Sequence, residues 1–127
     1  NKEIFSRWLI SVANDEGYLI DTLVFLFVDD KEILEMNKKF LKHDYYTDVI
    51  TFGDLEDKKI SGDIAISIER VLDNSKTYGV EFEDELKRVM VHGLLHIMGY
   101  NDKASDDKSV MSQKENKAMK MFHVKQV

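Results

Sequence analysis

One helix-length segment of the sequence is apolar on almost every side. Residues 89–98 read V-M-V-H-G-L-L-H-I-M. At about 100° per residue, the only interruptions, His92, Gly93 and His96, fall within one sector of the helix. A helix of this kind has to be enclosed by other elements, so we expect it at the centre of the fold. Its single polar or small stripe is predicted to line a cleft.

The remaining hydrophobic pattern predicts a small α+β domain, with a mixed β-sheet packed against helices around the central helix. All 127 residues are predicted to form this single domain. Three strands are predicted, at 22–28, 48–52 and 62–68, with the charged segment 54–60 as the turn between the last two. Helices are predicted at 3–13, 29–41, 69–78, 83–98 and 108–122.

Composition limits the classes of function. The hydrophobic content is 43%, and no apolar run approaches the roughly 20 residues of a membrane span, so no membrane partner is expected. The absence of cysteine excludes disulfides and thiolate metal sites. No signal peptide is visible, and the expected compartment is the cytoplasm. With a net charge of −6, binding of nucleic acid requires a local basic patch or a metal ion.

The two histidines of the central helix stand one turn apart, which lets their imidazoles converge on one ion. Zinc takes nitrogen and oxygen ligands at about 2 Å, and its catalytic sites use three protein ligands and an open position. The third ligand has to come from outside the helix. Gly99 ends the helix and lets the chain turn back, and Asp102 follows three residues later. The pattern therefore predicts a metal site formed by His92, His96 and Asp102.

Other interpretations of these residues remain open in the sequence. The histidine pair could be buried core residues whose ring nitrogens are satisfied by hydrogen bonds. Asp106 or Asp107 could replace Asp102 as the third ligand. The remaining histidines, His43 and His123, lie at polar helix ends and are predicted to be surface residues.

Gly93 stands where helical zinc peptidases, with the motif H-E-x-x-H, carry the glutamate that acts as general base. A metallopeptidase-like hydrolase is therefore disfavoured, although it remains the main alternative among enzymes. Two explanations are possible for a glycine at this position. It could clear space beside the metal for a bulky polymer backbone, or it could allow close packing against a neighbouring strand.

Three segments, in order, resemble the YbeY family of metal-dependent rRNA maturation endoribonucleases. They are M-N-K-K-F-L-K-H-D-Y-Y-T-D-V-I-T-F at 36–52, S-G-D-I-A-I-S at 61–67 and H-G-L-L-H-I-M-G-Y-N-D at 92–102. Met111 and Glu115 match the M-x-x-x-E that opens the family's last helix. The resemblance implies a zinc-dependent endoribonuclease that prefers single-stranded RNA and acts on rRNA in maturation of the small ribosomal subunit, with no DNA substrate. It also implies an initial strand, which is expected to be missing from this chain.

Two positions depart from the family pattern. The third metal ligand is usually histidine, and a carboxylate such as Asp102 is also a zinc ligand, but it lowers the net charge of the site and can shift metal preference. Leu41 stands where the family usually carries an arginine facing the cleft, a residue able to hold a phosphate. Nearby Lys39, Lys42 and His43 are possible substitutes.

Asp48 and Glu115 are the candidates for general acid or base in phosphodiester cleavage. Asp48 could instead be a plain capping or turn residue together with Thr47, which is the favoured interpretation. Tyr45 and Tyr46 could stack on the bases of a single strand or be half-buried core residues. A third function is also open, a non-catalytic ribosome-associated factor in which the metal only pins the helix to the following loop.

Overall fold

The computed structural model describes residues 2–43 and 47–125, with side chains as far as Phe122. These residues form five helices and three strands, which confirms the predicted α+β class. The helices are α1 (Lys2–Asp15), α2 (Asp30–Leu41), α3 (Ile68–Tyr78), α4 (Phe82–Ile97) and α5 (Ser105–Lys125). The strands are β1 (Leu19–Val28), β2 (Val49–Glu56) and β3 (Lys59–Ser67). None of the described helices is long and apolar enough to cross a lipid bilayer.

The sheet is mixed, as predicted, and has the strand order β1-β3-β2. The central strand β3 runs parallel to β1 and antiparallel to β2. The prediction of a long turn over 54–60 is wrong, because β2 extends to Glu56 and β3 begins at Lys59. Only Asp57 and Lys58 form the turn, and their φ angles of 50° and 66° are those of a two-residue hairpin turn that matches the twist of the strands.

Helix α2 covers one face of the sheet. Its buried Ile33 packs with Val28, Ile50 and Ala65 from the three strands, and a capping box at Asp29 fixes where the helix begins. This small cluster lies on the opposite side of the sheet from the main core.

Helix α4 lies against the other face of the sheet, between the strands and the terminal helices. Ile64 and Ile66 of β3 are fully buried in this main core. Trp8 of α1 packs edge-to-face on Phe122 of α5, with ring centroids 5.2 Å apart, and its Nε1–H donates to the Ala118 carbonyl oxygen at 2.7 Å. The terminal helices α1 and α5 are thereby joined beside α4.

The predicted burial of the central helix is confirmed. Val91, Leu94 and Leu95 of α4 are almost inaccessible to solvent. The same helix also buries two charged residues, Glu85 and Lys87, which hydrophobic periodicity did not predict. The Lys87 ammonium lies 3.9 Å from the centre of the Phe122 ring, so this cation is stabilised by an aromatic face as well as by a neighbouring aspartate.

Candidate metal centre

The end of α4 is built to reverse the chain. Gly99 has a φ of 108°, and its N–H donates to the His96 carbonyl oxygen while the Tyr100 N–H donates to that of Leu95. This pair of bonds is a Schellman motif, in which a residue with positive φ satisfies the last carbonyls of a helix. As predicted, the glycine therefore ends the helix, and the following loop brings Asp102 back beside the histidines.

This loop is fastened to two other helices. The Tyr100 hydroxyl donates to Glu16 near the end of α1, and Lys114 of α5 forms an ion pair with the same carboxylate at 2.8 Å. The position of the loop is thus set by tertiary contacts as well as by the helix end.

Three potential ligand atoms converge between α4 and this loop. The Nε2 atoms of His92 and His96 lie 3.1 Å apart, and Asp102 Oδ2 is 3.2 Å from the first and 3.5 Å from the second. A tetrahedral ion with bonds of about 2 Å has ligand atoms roughly 3.3 Å from one another. The triangle therefore has the dimensions of one face of a zinc coordination sphere. The side chains are partly exposed, which leaves the open side to solvent or substrate.

Within the described residues, the cluster includes Asp102 and neither Asp106 nor Asp107, both of which lie in the first turn of α5. His43 is exposed at the end of α2, as predicted, and the side chain of His123 lies outside the described residues. Tyr45 and Tyr46 also lie outside them.

Glu115 contacts the ring of His92 on the side away from the other ligands. The His92 Nδ1–H donates to Glu115 Oε2 at 2.5 Å, and the second carboxylate oxygen accepts from Arg88 Nη1 at 3.2 Å. The Glu115 side chain is only 8% exposed. A metal-binding histidine commonly donates its other ring N–H to a carboxylate in this way.

The guanidinium of Arg88 also binds the buried Glu85. Its Nε and Nη2 donate to the two oxygens of Glu85 at 2.9 and 2.5 Å, which is a bidentate pairing and raises the pKa of the arginine. Sequence reasoning missed both residues. The signal for them was present, because Glu85, Arg88, His92 and His96 follow one another at spacings of three, four and four residues, and hence lie along one helical stripe.

Asp48 lies at the start of β2, on the same side as this charged stripe. Its carbonyl oxygen accepts from the Ser67 N–H at 2.9 Å, and its carboxylate accepts from Asn74 Nδ2 at 3.3 Å. Burial raises the pKa of the carboxyl group above its ordinary value, although the positive charges of Arg88 and His92 oppose that change. The residue thus pairs the start of β2 with the end of β3, and its carboxyl group, with a raised pKa, lies within electrostatic range of His92.

The electrostatics of the centre favour a cation. Burial lowers the pKa of His92, but the hydrogen bond that its ring donates to Glu115 and the negative charges of Glu115, Asp102 and Asp48 outweigh this effect, so the pKa is raised. The same carboxylates that favour a protonated imidazole would favour a metal ion between the ligand atoms. The donor set, nitrogen and oxygen without sulfur, fits zinc and other borderline divalent metals.

Gly93 faces the sheet and not the metal. A Cβ on this residue would lie 3.0 Å from Ile64 Cγ2 and 3.1 Å from Thr51 Cγ2. The interpretation that Gly93 clears space beside the metal is therefore wrong, and close packing of α4 on β2 and β3 is the reason for the glycine. A glutamate at this position would point into the core.

Comparison with known proteins is consistent with this geometry. The family model described as Endoribonuclease YbeY matches residues 1–123. A protein named Endoribonuclease YbeY from Karelsulcia muelleri is 47% identical over 116 residues, which are 91% of this chain and 82% of the relative. One of the same name from Flavobacterium johnsoniae is 43% identical over 126 residues, covering 99% of this chain and 91% of the relative.

A solved structure shares the fold. The solution structure of TM1509 from Thermotoga maritima superposes with a TM-score of 0.68 at 29% sequence identity, covering 94% of this chain and 79% of that one. The match of the family model over nearly the whole chain, together with relatives of this similarity, establishes the relationship. The chain belongs to the YbeY endoribonuclease family.

Proposed function

We propose that this protein is a zinc-dependent endoribonuclease that prefers single-stranded RNA and acts on rRNA in the cytoplasm during maturation of the small ribosomal subunit. The observation that carries the proposal is the convergence of three ligand atoms of His92, His96 and Asp102 within 3.1 to 3.5 Å of one another. Membership of the YbeY endoribonuclease family supports RNA cleavage as the reaction. The ribosomal context is proposed from the resemblance of the three sequence segments to rRNA maturation enzymes.

In this proposal His92, His96 and Asp102 hold one zinc ion. A bound zinc ion supplies Lewis acidity toward phosphate oxygens and acidifies coordinated water. The protein leaves one side of the ligand triangle open, which gives a phosphodiester group access to that position. Because the chain carries a net charge of −6, the ion is also a major local attraction for an RNA backbone.

Asp48 is proposed as the residue that transfers a proton during cleavage. Burial favours the protonated form of its carboxyl group, which suits a general acid that donates to a leaving oxygen. Glu115 is less suited to that role, because Arg88 and His92 occupy its two oxygens and the side chain is almost fully buried. We therefore assign Glu115 to the support of the metal centre.

Replacing Asp48 with asparagine is expected to lower the rate of RNA cleavage about hundredfold, the usual contribution of a positioned general acid. The same variant is expected to be more stable than the parent by about 1 kcal/mol at neutral pH, because it removes a charge that burial disfavours. The folded-state pKa of Asp48 is raised, so this gain is absent below the ordinary pKa and grows as pH rises through the folded-state value.

Stability is measured by urea unfolding of zinc-free protein from acidic to neutral pH, and cleavage by single-turnover kinetics. The matched control is Asp73→Asn, at an exposed position of α3. Full cleavage activity in Asp48→Asn would show that the carboxyl group serves only the end of the sheet.

The function itself is tested by comparing substrates with zinc-depleted and zinc-restored protein. The substrates are a single-stranded RNA, its duplex, a DNA of the same sequence and an unstructured peptide. We expect zinc-dependent cleavage of the single-stranded RNA, with much slower cleavage of the duplex and none of the DNA or the peptide. Cleavage of the peptide alone would favour a metallopeptidase, and zinc binding without cleavage of any substrate would favour a non-catalytic factor.

A further inference from the structure

A row of charged side chains runs along α4 and ends on His92. Glu85, Arg88 and His92 lie on one stripe of the helix, and Glu115 of α5 bridges the last two. The row is buried at its carboxylates, since the side chains of Glu85 and Glu115 are 2% and 8% exposed. Charges placed so deeply require compensation, and here each carboxylate has at least one direct partner.

The contact at His92 selects one tautomer of the ring. With Nδ1–H donating to Glu115 at 2.5 Å, a neutral imidazole carries its lone pair on Nε2. That Nε2 atom is the one that lies 3.1 Å from His96 Nε2 and 3.2 Å from Asp102 Oδ2. The carboxylate thus fixes both the orientation of the ring and the nitrogen that is free to bind a metal.

The carboxylate of Glu115 is in turn held by Arg88. Nη1 of the guanidinium donates to Glu115 at 3.2 Å, while its other edge is fixed by two hydrogen bonds to Glu85. Because a guanidinium is planar, fixing one edge on a buried carboxylate also fixes the direction of the remaining donors. A lysine at this position could not hold two carboxylates in the same geometry.

We propose that Glu115 is a positioning residue for the metal centre, and that Arg88, anchored on Glu85, holds Glu115 against His92. This inference rests on the proposed zinc site. In this proposal the row Glu85–Arg88–Glu115 increases the affinity of the site for Zn²⁺, in addition to any contribution that it makes to folding.

The proposal is tested by measuring Zn²⁺ affinity against a competing chelator, using full-length Glu115→Ala, Glu115→Gln and Arg88→Lys proteins. We expect the Zn²⁺ dissociation constant of Glu115→Ala to be about ten- to hundredfold higher than that of the parent. This is the usual effect of removing a carboxylate that accepts a hydrogen bond from a metal-binding histidine. Glu115→Gln is expected to show a smaller rise, because its amide oxygen can still accept from His92 Nδ1–H. Arg88→Lys is expected to raise the constant as well.

Two controls separate positioning from folding. Glu83→Gln changes an exposed glutamate on the same helix and should leave Zn²⁺ affinity unchanged. Urea unfolding of each zinc-free variant identifies those that lose affinity through loss of structure. The absorption spectrum of bound Co²⁺ provides a second readout, because a reoriented His92 would alter the ligand field while a purely structural contact would not.

Unchanged Zn²⁺ affinity in folded Glu115→Ala would overturn the proposal. If Arg88→Lys raised only the KM for RNA and left Zn²⁺ affinity unchanged, Arg88 would be a substrate contact, and its assigned role would be wrong. If the parent protein bound no Zn²⁺, or if His96→Ala bound it normally, the proposed metal site would fail together with this inference. If only this inference is wrong, the parent still binds Zn²⁺ and His96→Ala still loses it, while folded Glu115→Ala binds Zn²⁺ as tightly as the parent.

Discussion

Replacing His96 with alanine is expected to abolish Zn²⁺ binding and to reduce RNA cleavage about thousandfold or more. The variant removes one of three ligand atoms that lie within 3.5 Å of one another, and the remaining two cannot complete a zinc site. Stabilisation of transition-state charge by a metal is worth several kcal/mol, and each 1.36 kcal/mol corresponds to about tenfold in rate. The measurements are the zinc content of the purified protein and single-turnover cleavage of single-stranded RNA.

The matched control for this variant is Tyr78→Ala, which removes an exposed aromatic ring at the end of α3. This control variant should bind zinc as the parent does and retain its cleavage activity. Undiminished cleavage by zinc-free His96→Ala would contradict the role assigned to the ligand triangle. A similar loss in both variants would show that the assay responds to the removal of any large ring and not to the metal site.

Gly93→Glu is expected to destabilise the protein by about 4 kcal/mol or more, the range of the most damaging single substitutions. The change would create the zinc-peptidase motif H-E-x-x-H at 92–96. The new Cβ, however, would lie 3.0 to 3.1 Å from side-chain atoms of Ile64 and Thr51. The carboxylate would then be placed between α4 and the sheet, where burial disfavours its charge. We expect loss of folded protein and no peptidase activity, measured by urea unfolding, circular dichroism and peptide cleavage.

Gly93→Ala separates the effect of space from the effect of charge. Its methyl group meets the same neighbours, while the higher helix propensity of alanine offsets that cost by about 1 kcal/mol. The alanine variant should therefore remain folded and bind zinc. A stable Gly93→Glu protein that hydrolysed the peptide would contradict the view that this position faces the core, and would revive the metallopeptidase alternative.

The central helix was predictable because its signals are local. Apolar residues around the whole helix require burial, the histidines at i and i+4 share one stripe, and Gly99 at the end permits the reversed chain. The preference for Asp102 over Asp106 and Asp107 also followed from local geometry, since the nearer position needs the shorter loop. The structure brings these residues together as the spacing indicated.

Other features depend on contacts that the sequence pattern does not contain. The charged segment 54–60 indicated a long turn, yet charged side chains can extend into solvent from an edge strand such as β2, so the hairpin turn needs only two residues. Glu115 lies 23 positions from His92, and only the packing of α5 on α4 brings them together. The role of Gly93 likewise depends on which strand lies beneath it.

The most direct test of the metal-centre account is a titration of zinc-depleted parent protein with Zn²⁺, with bound metal and RNA cleavage followed in the same samples. The account predicts that cleavage rises in proportion to bound zinc and reaches its maximum at one ion per chain. It also predicts that Asp102→Ala shifts both curves together to higher Zn²⁺ concentration. Full cleavage before zinc is added, or zinc binding at His92, His96 and Asp102 with no effect on cleavage, would contradict it.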